Sequence, residues 1–289
     1  MFDYDQAFSR NIGWLTTAEQ HALRSKRVAI AGLGGVGGSH LLTLVRLGIG
    51  AFHVADFDTF DIANFNRQVG ASTRTIGLCK TDVLATMARE INPDVDLAIF
   101  AGGVSAENYA AFLEGVDLYV DGLDFFAFDA RRTVFAGCAS MRVPAITVAP
   151  LGMGAALLNF LPGGMTFEEY FRWEGCSEQE MALRFLVGLS PAMLHRRYLK
   201  DPSQVDLAQG RGPSTPMACA LCAGIAGTEA VKILLGRGKV HAAPVGVHFD
   251  AFRNRLVRTW RPGGNSHPLQ RLVLSVARRQ LGAGAALRR

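Results

Sequence analysis

The segment Val28-Ala-Ile-Ala-Gly-Leu-Gly-Gly-Val-Gly-Gly38 constrains this chain more than any other, because it writes a buried strand, a glycine turn and the start of a helix without interruption. Gly32, Gly34 and Gly37 keep the G-x-G-x-x-G spacing, with Gly35 between them. The missing Cβ atoms let the backbone turn tightly and bring a helix N-terminus up to an anion. The run Val54-Ala-Asp-Phe-Asp58 reads as a second strand ending in acid, and Asp56 stands 24 residues after Gly32, where a carboxylate accepts hydrogen bonds from ribose hydroxyls. This is a nucleotide-binding βαβ unit. Alone it reads as NAD binding, but Asn64-Phe-Asn-Arg-Gln68 and Lys80 overturn that reading, because cations there have no task in hydride transfer.

Strands and helices alternate from this unit onward. Strands are predicted over 27–31, 51–56, 95–100, 118–121 and 145–148, with helices near 36–48, 78–91, 106–114 and 127–141. Five apolar strands joined by helical crossovers imply an α/β fold with a doubly wound, mostly parallel sheet, Rossmann-like, whose active residues gather at the strands' carboxyl ends. An opening helix over 16–26 carries a capping-box pattern at Thr17 and Gln20. Beyond Pro150 come an apolar run over 155–161, short amphipathic helices, a polar loop over 201–213, a long apolar helix near 215–235 and two strands near 245–249 and 256–260. The chain therefore divides into an N-terminal helical arm (1–26), a nucleotide-binding core (27–160), a substrate-side segment with crossover loop, closing helix and return strand (161–250), and a C-terminal extension (251–289).

The net charge of +5 is unevenly placed. Nine arginines and no acid fall between Ala251 and Arg289, so the first 250 residues hold 21 basic against 25 acidic side chains. Such a tail meets RNA, phosphate groups or an acidic protein partner, or is a solvated helix face. The five cysteines, at 79, 138, 176, 219 and 222, form no disulfide framework and fit a reducing compartment. The opening Met-Phe-Asp-Tyr-Asp lacks the regions of a signal peptide, and no uninterrupted apolar run marks a span, so a cytoplasmic protein without membrane association is expected.

Gly-x-Gly-Gly-Val-Gly, Asp-Phe-Asp, Asn-x-x-Arg-Gln, a lysine a dozen residues later and the second strand-end acid in Val120-Asp-Gly-Leu-Asp124 together resemble the ThiF/MoeB/HesA family, bacterial relatives of ubiquitin-activating enzymes. The helix ending Gly227-Thr-Glu-Ala-Val-Lys-Ile-Leu-Leu-Gly236 is similar to that family's closing helix. The resemblance implies an ATP- and Mg²⁺-dependent adenylyltransferase that activates a carboxylate and releases pyrophosphate. It implies that Asp56 binds ribose, that Asn64, Arg67 and Lys80 line the phosphate path, and that Asp124 is the metal acid. It implies further that Arg10, in Phe8-Ser-Arg-Asn11, reaches the phosphates across a homodimer interface. The chemistry is consistent with this. Attack of a carboxylate on the α-phosphorus asks the protein to position groups and neutralise phosphate charge, which Arg67's planar fork, Lys80's compact ammonium and an Mg²⁺ held by Asp124 supply. Asp58 serves adenosine, metal or a turn. Of Asp121 and Asp124, one is expected to be a structural cap.

Two departures qualify the resemblance. Only Cys219-Ala-Leu-Cys222 has metal-ligand spacing, inside an apolar helix, so zinc is not expected. The stretch Val205-Asp-Leu-Ala-Gln-Gly-Arg-Gly212 carries no thioester cysteine, which leaves Cys176 as the loop-placed substitute or an inert thiol. The carboxylate belongs to the C-terminus of a small protein or peptide, or to another molecule. A threonylcarbamoyl-adenosine dehydratase-like enzyme acting on tRNA is the alternative within the fold. An NAD-dependent oxidoreductase and a nucleotide-sensing scaffold are alternatives of other classes.

Overall fold

Branched and small apolar residues dominate the run Arg27–Ala31, and it forms β1, a central strand of the sheet. The computed structural model describes residues 1–206 and 212–286, with side chains to residue 279. Its other strands are β2 Ala51–Ala55, β3 Asp96–Phe100, β4 Leu118–Asp121, β5 Ala145–Leu151, β6 Gly154–Phe160, β7 Val245–Asp250 and β8 Arg255–Trp260. One sheet runs in the order β3-β2-β1-β4-β5-β6-β7-β8. The first five strands pair in parallel, and β6, β7 and β8 continue the sheet antiparallel.

The helices are α1 Tyr4–Ala7, α2 Thr17–Arg24, α3 Gly35–Arg46, α4 Lys80–Ile91, α5 Tyr109–Leu113, α6 Phe128–Met141, α7 Phe167–Phe171, α8 Glu178–Leu189, α9 Pro216–Leu234 and α10 Pro268–Ala286. Alternation along the strands sends Val28, Ile30, Leu118 and Val120 to one face, against Leu41 and Leu44 of α3, Leu84 of α4 and Cys222 and Ala226 of α9. Ala29, Ala31 and Tyr119 point to the other face, into an aromatic core with Phe135 of α6, Phe167 and Phe171 of α7 and Phe185 of α8. Helices on both faces make the sheet doubly wound. α9 is long and apolar enough to cross a membrane by composition, yet here Cys222, Ala226 and Ala230 are buried in the core.

Three boundaries differ from expectation for physical reasons. The capping box is Thr16 with Glu19, because the Gln20 amide is buried, bonding Tyr4 Oη at 2.9 Å and the Leu47 carbonyl at 2.9 Å. The helix expected over 106–114 starts only at Tyr109, since Asn108 accepts from the Ser105 N–H and donates to the Gly103 carbonyl in a preceding turn. β5 runs through Pro150 to Leu151: past Thr147 it pairs with β6 alone, so a residue without an N–H is tolerated. Residues 207–211 of the crossover loop, and Arg288 and Arg289 of the tail, lie outside the described residues.

Candidate active site

The glycine loop is built by backbone packed on backbone. Gly32 has φ +82°, and a Cβ there would overlap the Gly122 carbonyl; a Cβ on Gly37 would overlap the Gly32 carbonyl oxygen. Gly122 thus belongs to the same knot, with a hypothetical Cβ 2.8 Å from Gly37 Cα. This contact between the β1 and β4 loops was not read from the sequence. Its signal was the glycine set between Asp121 and Asp124 at the end of an apolar strand.

Gly34 caps α3 without any side-chain hydrogen bond, so the first N–H groups of the helix keep donors for an anion. Beside it lies Gln68, buried, with Nε2 3.8 Å from where a Gly34 Cβ would stand and Oε1 lacking any partner. A buried orphan acceptor next to an uncapped helix N-terminus fits a ligand that brings both phosphate oxygens and hydroxyl donors. Asp56 braces the loop: Oδ2 accepts from the Leu33 N–H at 2.6 Å and Oδ1 from the Asp58 N–H at 2.8 Å. Its carboxylate is half-buried and keeps lone pairs for a further donor.

Lys80 opens α4 and is only 5% exposed, which corrects the expectation of an exposed cation. Its Nζ stands 2.8 Å from Asp58 Oδ2, and its backbone N–H donates to the Asp58 carbonyl. Asp58 is therefore the partner that orients Lys80. Asn64 accepts from the Asp61 N–H at 3.0 Å and closes a short 3-10 turn, while its carbonyl accepts from the Arg67 and Gln68 N–H groups. Asn64 shapes the loop that carries Arg67. Arg67 donates to the Ala63 carbonyl and to Asn66 Oδ1, makes no ion pair among the described residues, and has Cγ 3.3 Å from the Cβ position of Gly35.

At the end of β4 the two aspartates part company. Asp121 is buried against Arg131, Oδ2 to Nε 2.9 Å, and both side chains are 2% exposed. The Asp124 carboxylate is exposed, accepts from the Phe126 N–H at 3.0 Å, and makes no ion pair among the described residues. Arg131, missed in the sequence, also donates to the carbonyls of Leu123, Asp124 and Phe125, and so fixes the loop that presents Asp124. An exposed carboxylate two residues past Gly122, which packs on the glycine loop, suits a divalent ion that completes its shell with phosphate and water.

Arg10 lies away from the glycine loop. The N-terminal arm docks at the C-terminal end of α3, through Tyr4 Oη to the Gly48 carbonyl at 2.6 Å and Asn11 to Gln20 at 3.1 Å, whereas the glycine loop is at the other end. Arg10 is exposed there, with no ion pair among the described residues. Burial raises the Cys176, Cys219 and Cys222 thiols above the ordinary range, the opposite of an activated nucleophile. Cys219 packs against Gly35, where its Sγ is 3.0 Å from a hypothetical Cβ.

A doubly wound parallel sheet whose first strand ends in an uncapped glycine loop braced by the acid that follows the second strand defines a nucleotide-binding fold of Rossmann type. The chain belongs to the ThiF family, whose pattern matches residues 8–272. It is 33% identical over 152 residues to the tRNA threonylcarbamoyladenosine dehydratase of Haemophilus influenzae, covering 52% of this chain and 57% of that protein. It is 29% identical over 143 residues to the sulfur carrier protein ThiS adenylyltransferase of Escherichia coli, covering 50% of this chain and 56% of that one. The chain thus spans little more than half the length of these relatives. Among solved structures, Escherichia coli MccB crystallised with ATP superposes with a TM-score of 0.65 at 18% identity, over 90% of this chain and 73% of MccB.

Proposed function

We propose that the chain is an ATP- and Mg²⁺-dependent adenylyltransferase: a substrate carboxylate oxygen bonds to the α-phosphorus of ATP, the bond to the bridging oxygen breaks, and pyrophosphate leaves with an acyl-adenylate formed. The observation that supports this reading is an uncapped α3 N-terminus with Arg67 packed beside Gly35, Gly122 of the Asp124 loop packed on Gly32 and Gly37, and Lys80 paired with Asp58 next to the Asp56 that braces the glycine loop. A hydride-transferring enzyme would use the glycine loop and Asp56 and leave Arg67, Lys80 and Asp124 idle. In this reading the α3 N-terminus and Arg67 bind phosphate oxygens, Asp56 and the Gln68 carbonyl oxygen hold hydroxyls, and Lys80, aimed by Asp58, follows charge onto the leaving oxygen. Mg²⁺ held by Asp124 would neutralise phosphate charge.

The carboxylate acceptor is a small protein or peptide C-terminus, supported by the likeness to a ThiS adenylyltransferase. A carboxylate on tRNA is the second reading, favoured by the identity with the dehydratase and by the arginine-rich C-terminal segment. ATP–pyrophosphate exchange, run against sulfur-carrier-type peptides and against modified tRNA, tests both. Micromolar NAD affinity with no ATP affinity in calorimetry would sink the adenylation reading.

A further inference from the structure

Beyond β6 the sheet runs past the helix that covers it. α9 packs on β4, β5 and β6, and the pairs Ala155–Phe249 and Leu157–Val247 put Val247 and Phe249 of β7 on that same face. The register carries the face on to β8, where Trp260 pairs with Val245, Arg258 with Val247 and Leu256 with Phe249. Leu256 and Trp260 are 63% and 66% exposed, Arg258 is exposed between them, and Val245 and Phe249 are half-buried. Phe252, in the turn that joins the two strands, is 60% exposed and lies on Tyr198 at 4.6 Å between ring centroids.

Charge on this hairpin is one-sided. Arg253, Arg255, Arg258 and Arg261 fall on β8 and its flanks, in a chain whose first 250 residues are net acidic, and none of the four makes an ion pair among the described residues. Arg258 Nη1 stands 3.4 Å from His241 Nε2. Loss of solvent, then the charges of Arg258 and Lys239, lower that imidazole below its ordinary value. The acid on this side, Glu229, is buried and already engaged, with Lys232 at 2.5 Å and Asn159 at 3.1 Å.

We propose that this open face of β7 and β8 binds a single-stranded stretch of RNA. Guanidiniums meet phosphates as planar forks, and Trp260 and Phe249 offer π-faces on which unpaired bases stack. Trp260 lies level with Val245, four residues from Phe249, so the two rings stand about 13 Å apart along the strands, with Arg258 between them and room for more than one base. An acidic peptide would match the charge and leave both rings without a stacking partner. Phe249 and Leu256 sit at the carboxyl end of β7, the end of the sheet at which β1 carries the glycine loop and β4 the Asp124 loop. Four strand spacings, roughly 19 Å, separate β8 from β4. The inference rests on the tRNA reading of the acceptor only for the source of the RNA, and its binding test requires no turnover, so either can fail alone.

Fluorescence anisotropy of the full chain with a labelled oligouridine of about 12 nucleotides, an RNA duplex of equal length and polyglutamate decides it. The oligouridine should bind tightest, because a duplex hides its bases and polyglutamate has none. Trp260→Ala should weaken it about tenfold and Trp260→Phe by less, while Arg258→Gln should weaken it and lower the slope of log affinity against log salt by about one. Both positions are exposed, so circular dichroism and ATP affinity in calorimetry should stay unchanged. No binding of oligouridine, duplex or polyglutamate bound as tightly, or an affinity indifferent to Trp260→Ala and Arg258→Gln overturns the proposal, whereas absent ATP affinity in the unaltered chain counts against the adenylation reading alone.

Discussion

Lys80 Nζ and Asp58 Oδ2 stand 2.8 Å apart with the lysine side chain 7% exposed and the aspartate 53% exposed, so the cation lies beneath a carboxylate that water still reaches. Lys80→Met, which keeps the packing, should abolish pyrophosphate exchange. Lys80→Ala should do the same and in addition destabilise the fold by about 1–2 kcal/mol, the loss being limited by the solvation of Asp58. Asp58→Asn should leave a folded protein with slower exchange. Wild-type exchange in Lys80→Met would reduce the lysine to a structural role.

The two strand-end aspartates should separate cleanly by mutation. Asp124→Asn, at an exposed position, should change stability by less than about 0.5 kcal/mol while exchange and its Mg²⁺ dependence are lost. Arg131→Met leaves Asp121 charged and unpaired in the core and should cost about 3–5 kcal/mol, measured by urea denaturation. Equal stability loss in both variants would contradict the division of labour between them.

The arm that carries Arg10 docks at the far end of α3 from the glycine loop, so a contribution of Arg10 to the site comes from a second copy in a homodimer. Mixing inactive Arg10→Ala with inactive Lys80→Met protein should restore part of the exchange activity, since a mixed dimer holds one site with both residues intact. No recovery despite demonstrated subunit exchange removes Arg10 from the site.

Two buried imidazoles make the fold acid-sensitive. Burial holds His40, with neither ring nitrogen bonded, down to about 3. It holds His248, whose Nδ1 faces Ser190 Oγ at 2.8 Å, down to about 4. Below the ordinary value of 6.5 the unfolded chain takes up protons that the folded chain refuses, so stability is full above that pH and falls as pH drops toward about 4 and 3. His248→Gln should shallow the dependence of unfolding free energy on pH by about one proton in this window. An unchanged slope would place the acid sensitivity elsewhere.

The strands and the crossover helices were legible because apolar runs and glycine turns are local signals, and Gly32, Asp56 and Asp124 follow the carboxyl ends of β1, β2 and β4. What the sequence hid was pairing at a distance. Nothing local distinguishes Asp121, whose carboxylate meets Arg131 ten residues on, from Asp124, whose carboxylate makes no ion pair among the described residues. The burial of Lys80 was equally hidden, since it depends on α4 packing its first turn beneath the Asp58 loop. Gln68 and Gly122 gained their meaning only when two loops from different βα units were seen to touch.

The two-residue turn at Gly152–Met153 joins β5 to β6 in the interior of an eight-stranded sheet. Every parallel pairing to its left needs a helical crossover to close, and β6–β7 must span the whole stretch from Phe160 to Val245. The β5–β6 hairpin and the β7–β8 hairpin, closed by residues 251–254, zip from tight loops at small entropic cost, and of the two only β5–β6 lies in the sheet interior. Assembly of the sheet should therefore spread outward from its middle, with the amides of Ala145–Leu151 and Gly154–Phe160 the earliest protected in pulsed hydrogen exchange. The nucleotide rim, formed by the most distant pairings, would then be the last part of the molecule to take shape.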